Sequence, residues 1–64
     1  MDRLVTKLAI DVVVGDVLWI EGLGRRTVTE KSENRRHRIT FRFKEELLPW
    51  WYEEDEAFQK YMGV

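Results

Sequence analysis

Five arginines are the side chains in this sequence that are best suited to bind an anionic partner. They are Arg25 and Arg26, which are adjacent, and Arg36, Arg38 and Arg42, which are separated by two and by four positions. A guanidinium group is planar and permanently charged, and it can hold a carboxylate or a phosphate by two parallel hydrogen bonds. Residues two apart in a strand lie on the same side of a sheet. The spacing therefore predicts an arginine-bearing sheet face.

Three interpretations of this arginine face follow from the sequence. It is a solvated surface balanced by cross-strand acids such as Glu30, an interface with an acidic protein, or a surface that contacts nucleic acid phosphates. The formal net charge of −1 disfavours the third interpretation. So does the absence of an aromatic residue for base stacking among the outward-facing positions, which are Arg36, Arg38, Thr40 and Arg42.

Three adjacent aromatic residues, Trp50, Trp51 and Tyr52, form a second candidate binding element. A core this small needs large rings, and at least one tryptophan is expected to close it, since each buries about 200 Å². Three consecutive side chains cannot all point inward. A ring left outside, together with Trp19 or Leu18, would form an exposed apolar patch of the kind that marks contacts with a partner. We therefore expect a protein partner or a homodimer.

The remaining polar residues predict neither a catalytic site nor a metal or cofactor site. His37 is the only histidine, and it is expected to point inward at the rim of the core. The acids at positions 53–56 would point around a helix and could not converge on one ion. The segment Gly22-Leu23-Gly24-Arg25-Arg26 lacks the spacing of a phosphate-binding loop. We expect a protein that is not an enzyme and that uses no cofactor.

Composition limits the chain further. Its 64 residues are 44% hydrophobic and 36% charged, which is enough for one small domain. The absence of cysteine fits a reducing compartment, and we expect the cytoplasm. The apolar runs are short, so neither a membrane span nor a secretion signal is predicted. Ten basic residues against six acidic ones in residues 1–44, and one against six in residues 45–64, give a basic centre and an acidic tail that partly cancels it.

Four segments have the residue pattern of β-strands, and we predict them over residues 3–10, 17–21, 26–31 and 36–43. A tight turn at Gly15-Asp16 precedes the second strand. The fourth strand alternates most regularly. Its inward set is Ile39, Phe41 and Phe43, and its outward set carries the arginines.

The tail carries the signals of a short C-terminal helix over residues 50–62. Pro49 suits a first helical turn, and acidic residues follow it where the helix dipole favours them. Lys60 lies near the predicted end and Gly63 is a suitable C-cap. Leu47 and Leu48 could add a brief closing strand.

The order of these elements resembles a small SH3-like barrel of four to five antiparallel strands. The segment from Val14 to Gly22, followed by Arg26-Thr27-Val28-Thr29 and Arg38-Ile39-Thr40-Phe41, also resembles a pattern in short proteins of bacteriophages and their bacterial hosts. This resemblance covers about residues 10–43, leaves the tail unmatched, and implies a binding domain more than a chemistry. The position of Trp50-Trp51 near the C-terminus does not support recognition of proline-rich peptides.

The preferred interpretation is therefore a mainly β, non-enzymatic interaction module, resembling phage proteins, that docks on a host or viral protein. Its binding residues would be the arginines together with the aromatic tail. The alternative is an accessory nucleic-acid-binding protein that uses the same five arginines, Arg25, Arg26, Arg36, Arg38 and Arg42, against phosphates.

Overall fold

The computed structural model describes residues 3–34 and 36–62, and it is mainly β. The strands are β1 (Arg3–Leu8), β2 (Val17–Ile20), β3 (Gly24–Glu33), β4 (Arg38–Phe43), β5 (Trp50–Glu53) and β6 (Ala57–Met62). One 3₁₀ turn, Ala9–Asp11, follows β1. All strands pair antiparallel in one sheet of order β1-β6-β2-β3-β4-β5. The mainly β prediction is confirmed. Strands β1 to β4 overlap the four predicted segments with different bounds, since β1 ends at Leu8, β3 extends from Gly24 to Glu33 and β4 begins at Arg38.

The predicted Gly15-Asp16 turn is tied to the centre of β3. Gly15 has a φ of 98°, in the left-handed region that glycine adopts without a steric penalty. Its N–H donates to the Val28 carbonyl oxygen at 2.9 Å, and the Val28 N–H donates to the Asp16 carbonyl oxygen at 2.9 Å. The turn therefore fixes where β2 begins relative to β3.

Strand β3 is long enough to pair with two different neighbours. Near its start Arg25 lies opposite Trp19 of β2, and near its end Glu33 lies opposite Ile39 of β4. The register shifts between Val28 and Glu30, an irregularity of the kind that bends a strand. This bend lets one continuous sheet curl around its own apolar side.

The hydrophobic core lies on the inner side of the curled sheet. Its β4 members are the predicted inward set, Ile39, Phe41 and Phe43, and all three are buried. Tyr52 of β5 meets Phe58 of β6 edge to face, with ring centroids 4.8 Å apart, although three strands separate β5 from β6 in the sheet order. The curl thus brings two distant strands into contact through their aromatic rings.

The prediction of a helix over residues 50–62 is wrong, because this segment forms the two strands β5 and β6, which follow each other in the chain but are not neighbours in the sheet. Trp51 of β5 lies opposite Thr40 of β4, and β6 pairs with both β1 and β2. Tryptophan and tyrosine favour extended backbone, and the acids expected in a first helical turn lie mostly in the connection between β5 and β6. The brief closing strand at Leu47 and Leu48 is also wrong, since both residues lie in an exposed connection before β5.

The inward orientation expected for His37 is wrong as well. Strand β4 begins only at Arg38, and His37 lies in the preceding turn with a φ of 60° and a side chain that is 78% exposed. The Asn34 side-chain oxygen accepts hydrogen bonds from the N–H groups of Arg36 (3.0 Å) and Arg38 (3.2 Å), which holds the turn in place. Arg36 is therefore outside the strand whose outer side it was expected to share.

The described residues leave the sheet curled but open. Strand β1 pairs only with β6, and β5 pairs only with β4. Across this opening, the Ala9 N–H donates to the Glu56 carbonyl oxygen at 2.8 Å and the Ile10 N–H to that of Glu54 at 3.0 Å. Within residues 3–34 and 36–62, no helix has the length and apolar character needed to cross a bilayer.

Candidate partner-binding surface

The five arginines predicted to form one basic face are distributed over several places. They lie in the turn before β4 (Arg36), on the outer side of β4 (Arg38, Arg42) and on the two sides of β3 (Arg25, Arg26). Arg25 lies opposite the exposed Trp19, whereas Arg26 lies opposite the buried Leu18, so neighbours in sequence point in opposite directions. Only Arg38 and Arg42 share a strand face.

Arg26 holds two parts of the chain together. Its Nε lies 3.0 Å and its Nη2 2.9 Å from the same carboxylate oxygen of Glu46, and both side chains are about three-quarters buried. Its Nη1 also donates to the Arg25 carbonyl oxygen at 2.7 Å. These contacts join β3 to the connection after β4. They leave Arg26 little capacity for a partner molecule.

The two arginines on the outer side of β4 are paired with acids on adjacent strands. The Arg38 Nε lies 3.7 Å from a Glu53 carboxylate oxygen, and the Arg42 Nε lies 3.3 Å from one of Glu30. The Arg38 guanidinium also lies over the Trp51 ring, 4.4 Å from its centroid. For Arg38 and Arg42, the structure therefore agrees with the first interpretation, a surface whose arginines are balanced by acids on neighbouring strands, including Glu30.

Strand β5 adds an aromatic residue to that face. Trp51 lies directly opposite Thr40, and residues directly opposite in an antiparallel pair point to the same side. The sequence predicted no aromatic residue among the outward positions of β4. The outer face of β4 and β5 together does contain an aromatic ring. This ring was missed from the sequence because Trp51 was assigned to a helix and not to a strand next to β4.

Residues 47–52, called the aromatic segment below, expose most of their apolar side chains. Leu47 is 93% and Leu48 74% exposed, while Trp50 is 40% and Trp51 57% exposed. The ring that enters the core is that of Tyr52, which packs against Phe41 and Phe58. The sequence predicted a tryptophan in this place. Both tryptophans of the segment are instead available at the surface.

Two open grooves adjoin the aromatic segment. The first, of about 570 Å³, lies between β5 and the end of β2, and its lining includes Trp19, Glu21, Leu23, Trp50, Tyr52 and Glu56. The second, of about 680 Å³, is lined by Leu48, Pro49, Trp51 and Glu53 together with the shared residues Trp50, Tyr52 and Glu56. The Trp50 ring therefore borders both grooves.

The charged residues that line these grooves are all acidic. They are Glu21 and Glu56 in the first groove and Glu53 and Glu56 in the second, and no lysine or arginine of the described residues lines either one. Burial raises the pKa of the Tyr52 hydroxyl, and the nearby carboxylates of Glu56 and Glu46 raise it further. The phenol therefore stays neutral. The grooves combine aromatic surface with negative charge.

Several groove residues were not among the predicted site residues. Trp19 was expected in an exposed patch because β2 carries apolar residues on both sides, and it is 47% exposed, whereas Leu18 is fully buried. Glu56 was assigned to a helix. Nothing in the sequence near Glu21 and Leu23 indicates a binding site, since only the curl of the sheet brings their turn near β5.

Asp16 belongs to a separate buried cluster that serves the fold. Its carboxylate accepts a hydrogen bond from the Val13 N–H at 3.0 Å, and it lies 3.1 Å from the Lys7 ammonium and 2.9 Å from that of Lys60. The described part of the chain contains no group of three or more His, Asp or Glu residues placed to hold a metal ion. The cluster is an ion-pair network linking a turn to β1 and β6.

No family model, curated protein or solved structure matches this chain. A function is therefore inferred from the surface of the molecule. This surface offers exposed indole rings, two open grooves and, within the described residues, two groove carboxylates without an ion pair, Glu21 and Glu56, which are groups for reversible contact with another molecule. His37 lies outside both grooves, and its Nδ1 lies 3.4 Å from a Glu54 carboxylate oxygen.

Proposed function

We propose that this protein is a non-enzymatic interaction module that binds a protein partner through the aromatic segment and its two grooves. The observation that carries this proposal is the exposure of Leu47, Leu48, Trp50 and Trp51 in one continuous stretch. Monomeric soluble proteins rarely expose a contiguous apolar patch larger than a few hundred Å², and larger patches mark contacts with another molecule. Tryptophan is also the residue type most enriched in the energetic centres of protein interfaces.

The surroundings of these rings favour binding with little loss of side-chain freedom. Trp51 is held under the Arg38 guanidinium, and the pairing of β5 with β4 fixes the backbone that carries both tryptophans. A side chain that is already ordered loses less conformational entropy when a partner covers it. The aromatic segment is thus a preorganised contact surface.

The barrel architecture belongs to the same proposal. Strands β2 to β5 form an antiparallel meander, and β6 returns beside β2. The bend in β3 and the contact of Tyr52 with Phe58 across the sheet support a barrel of SH3-like type with β1 added outside β6. Such small barrels serve as scaffolds for binding surfaces.

The proposal is tested by comparing two double variants in a cross-linking pull-down from the native cell extract. Leu48→Ser with Trp51→Ser removes exposed apolar surface from the aromatic segment. Val13→Ser with Val14→Ser removes apolar surface of similar exposure elsewhere and serves as the matched control. We expect a partner captured by the wild type to be retained by the control and lost by the first variant. Equal retention by both variants would contradict the proposal.

A second candidate function has one observation in its favour. The outer face of β4 and β5 combines Arg38 and Arg42 with the exposed Trp51, and single-stranded nucleic acid is bound by such combinations of cations and stacking rings. Its cations are already paired with Glu53 and Glu30, which is why we place it second.

Fluorescence anisotropy with a labelled oligonucleotide separates the two functions. Binding through phosphates would weaken steeply between about 50 and about 200 mM salt. It would also be lost in Arg38→Gln with Arg42→Gln. The interaction module we propose gives no binding to the oligonucleotide at physiological salt.

A further inference from the structure

The first groove occupies the gap where the curled sheet stays open. One wall is formed by Trp50 and Tyr52 of β5, and the opposite wall by the end of β2 and the start of β6. Strand β5 pairs only with β4, so its other edge borders this gap with backbone groups that no strand of the described residues covers. Such an edge can accept an extended segment as an additional strand. Its four residues, Trp50–Glu53, span about 13 Å, the length of about four residues of an added strand.

Two aromatic rings elsewhere in the molecule, one exposed and one half-buried, already hold a guanidinium group. Arg38 lies over Trp51 at 4.4 Å. Arg25 is the cross-strand neighbour of Trp19, but its guanidinium lies over Tyr61, 4.9 Å from the ring centroid. Trp19 and Trp50 are comparably exposed, but no lysine or arginine of residues 3–34 and 36–62 lies over either ring. A guanidinium or ammonium group desolvated against an indole face is attracted by the ring quadrupole.

The carboxylates of the groove are also without intramolecular cations. Glu21 and Glu56 form no ion pair within the described residues, in contrast to Glu30, Glu46 and Glu53, which all do. The turn backbone fixes where Glu56 lies, because its carbonyl oxygen accepts the Ala9 N–H and its own N–H donates to the Glu53 carbonyl oxygen at 3.1 Å. Like charges that face one groove favour a partner of the opposite charge.

From the open edge, the uncovered rings and the unpaired acids, we infer that this groove binds an extended, basic segment of the partner protein. The segment lies along β5, and its arginine or lysine side chains contact Trp19 and Trp50, with their charges near Glu21 and Glu56. This inference rests on the proposed interaction function and specifies the chemistry of the partner.

A panel of fluorescent eight-residue peptides tests the inference by anisotropy on the full chain. The peptides alternate alanine with arginine, with serine or with glutamate, so they differ only in charge. The arginine peptide is expected to bind, and the other two are not. Glu21→Gln with Glu56→Gln should weaken binding about tenfold, since two exposed charges each contribute about threefold. Glu30→Gln with Glu33→Gln makes the same change of net charge outside the groove and should leave the affinity within about twofold.

A second variant tests the aromatic part. Trp19→Ser removes a ring that the structure shows 47% exposed, so the fold is expected to persist, as circular dichroism will check. We expect it to weaken binding of the arginine peptide by about fivefold or more. Equal binding of the variant and the wild type would overturn the role of the ring.

The outcomes separate this inference from the proposed function. If the serine or glutamate peptide binds as tightly as the arginine peptide, and Trp19→Ser weakens that binding, the interaction function stands and the basic partner is wrong. If the arginine peptide does not bind, or binds equally to the groove variant and its control, the inference is overturned. Sedimentation showing a dimer that Trp19→Ser dissociates would also overturn it, since the occupant would then be a second copy.

Discussion

Asp16 shows how one buried side chain can tie together parts of the chain that are distant in sequence. It contacts the Val13 N–H in its own turn, Lys7 on β1 and Lys60 on β6. The sequence identified Asp16 only as part of the predicted Gly15-Asp16 turn. Its two ammonium partners come from the first and last described strands, so their convergence depends on the strand order and not on any local pattern.

Asp16→Asn should destabilise the protein by about 2 kcal/mol. The amide keeps the shape of the side chain and can still accept the Val13 N–H, but it leaves Lys7 and Lys60 without their buried counter-charge. Urea denaturation gives the free energy of unfolding. Asp11→Asn, at an exposed position, is the control and should change it by less than about 0.5 kcal/mol. Equal effects of the two substitutions would refute the importance of the network.

The contribution of Asp16 to stability should depend on pH. Burial by itself raises the pKa of Asp16, but the Val13 N–H hydrogen bond and the ammonium groups of Lys60 and Lys7 together bring the pKa below its ordinary value. A carboxyl group whose pKa is lowered by folding stabilises the folded state above its unfolded-state pKa of about 4. That contribution is lost as the pH falls through the folded-state pKa.

Unfolding of the wild type and of Asp16→Asn should therefore be compared at about pH 7 and at about pH 2. The difference in free energy of unfolding is expected to shrink at the lower pH, because the unfolded state takes up a proton at Asp16 first and the stabilisation from the ionised carboxylate is lost as the pH falls towards its lowered folded-state pKa. Glu45, whose pKa is lowered chiefly by the Thr27 N–H hydrogen bond, is present in both proteins and cancels in the comparison. A difference that stays constant over this range would exclude the carboxylate as its source.

At the scale of elements, the sequence was sufficient to predict strand β4 but not the strands β5 and β6. The alternation through Ile39, Phe41 and Phe43 predicted a half-buried strand, because the position of a residue along a strand determines which face of the sheet its side chain lies on. In the tail, Pro49 and the acids that follow are as compatible with a strand start and a turn as with a helix. The choice is made by contacts of Tyr52 with Phe41 and Phe58, which no local signal contains.

The candidate site, too, was predictable from the sequence only in part. Trp50, Trp51 and Tyr52 could be identified from composition, since three adjacent rings exceed what a small core can take. The first groove could not, because Glu21 and Leu23 reach it only through the curl of the sheet. The arginine face was predicted too broadly, since β4 begins after Arg36 and β3 points Arg25 and Arg26 to opposite sides.

Tyr52→Ala should be far more destabilising than Trp51→Ala, although the two residues are adjacent. The Tyr52 ring packs in the core against Phe58, and its loss should cost about 3 kcal/mol by removing buried surface and leaving a cavity. Trp51 lies on the other side of β5 and loses mainly its contact with Arg38, about 1 kcal/mol. Thermal unfolding of both variants gives the ranking. A reversed ranking would be incompatible with a strand at β5.

For the whole molecule, the fold mixes charges that the sequence keeps apart. The acidic tail lies beside the basic centre, through the pairs Arg26–Glu46 and Arg38–Glu53. Each pair joins a residue from the first 44 positions to one from the last 20. The field around the protein is therefore weaker than the basic centre alone would produce. Recognition is left to local features such as the aromatic segment.

The pairing of β1 with β6, which places Arg3 opposite Met62, has a consequence for how the chain folds. The hairpins from β2 to β5 close short loops, whereas this ladder must bring together the two ends of the described chain, and such remote pairings form late. Ile39→Val in β4 should therefore slow folding, whereas Phe58→Leu in β6 should chiefly speed unfolding. Stopped-flow chevron plots of the two variants measure both rates. If β6 pairs late, the first groove, which β6 helps to line, takes its final form only in the last stage of folding.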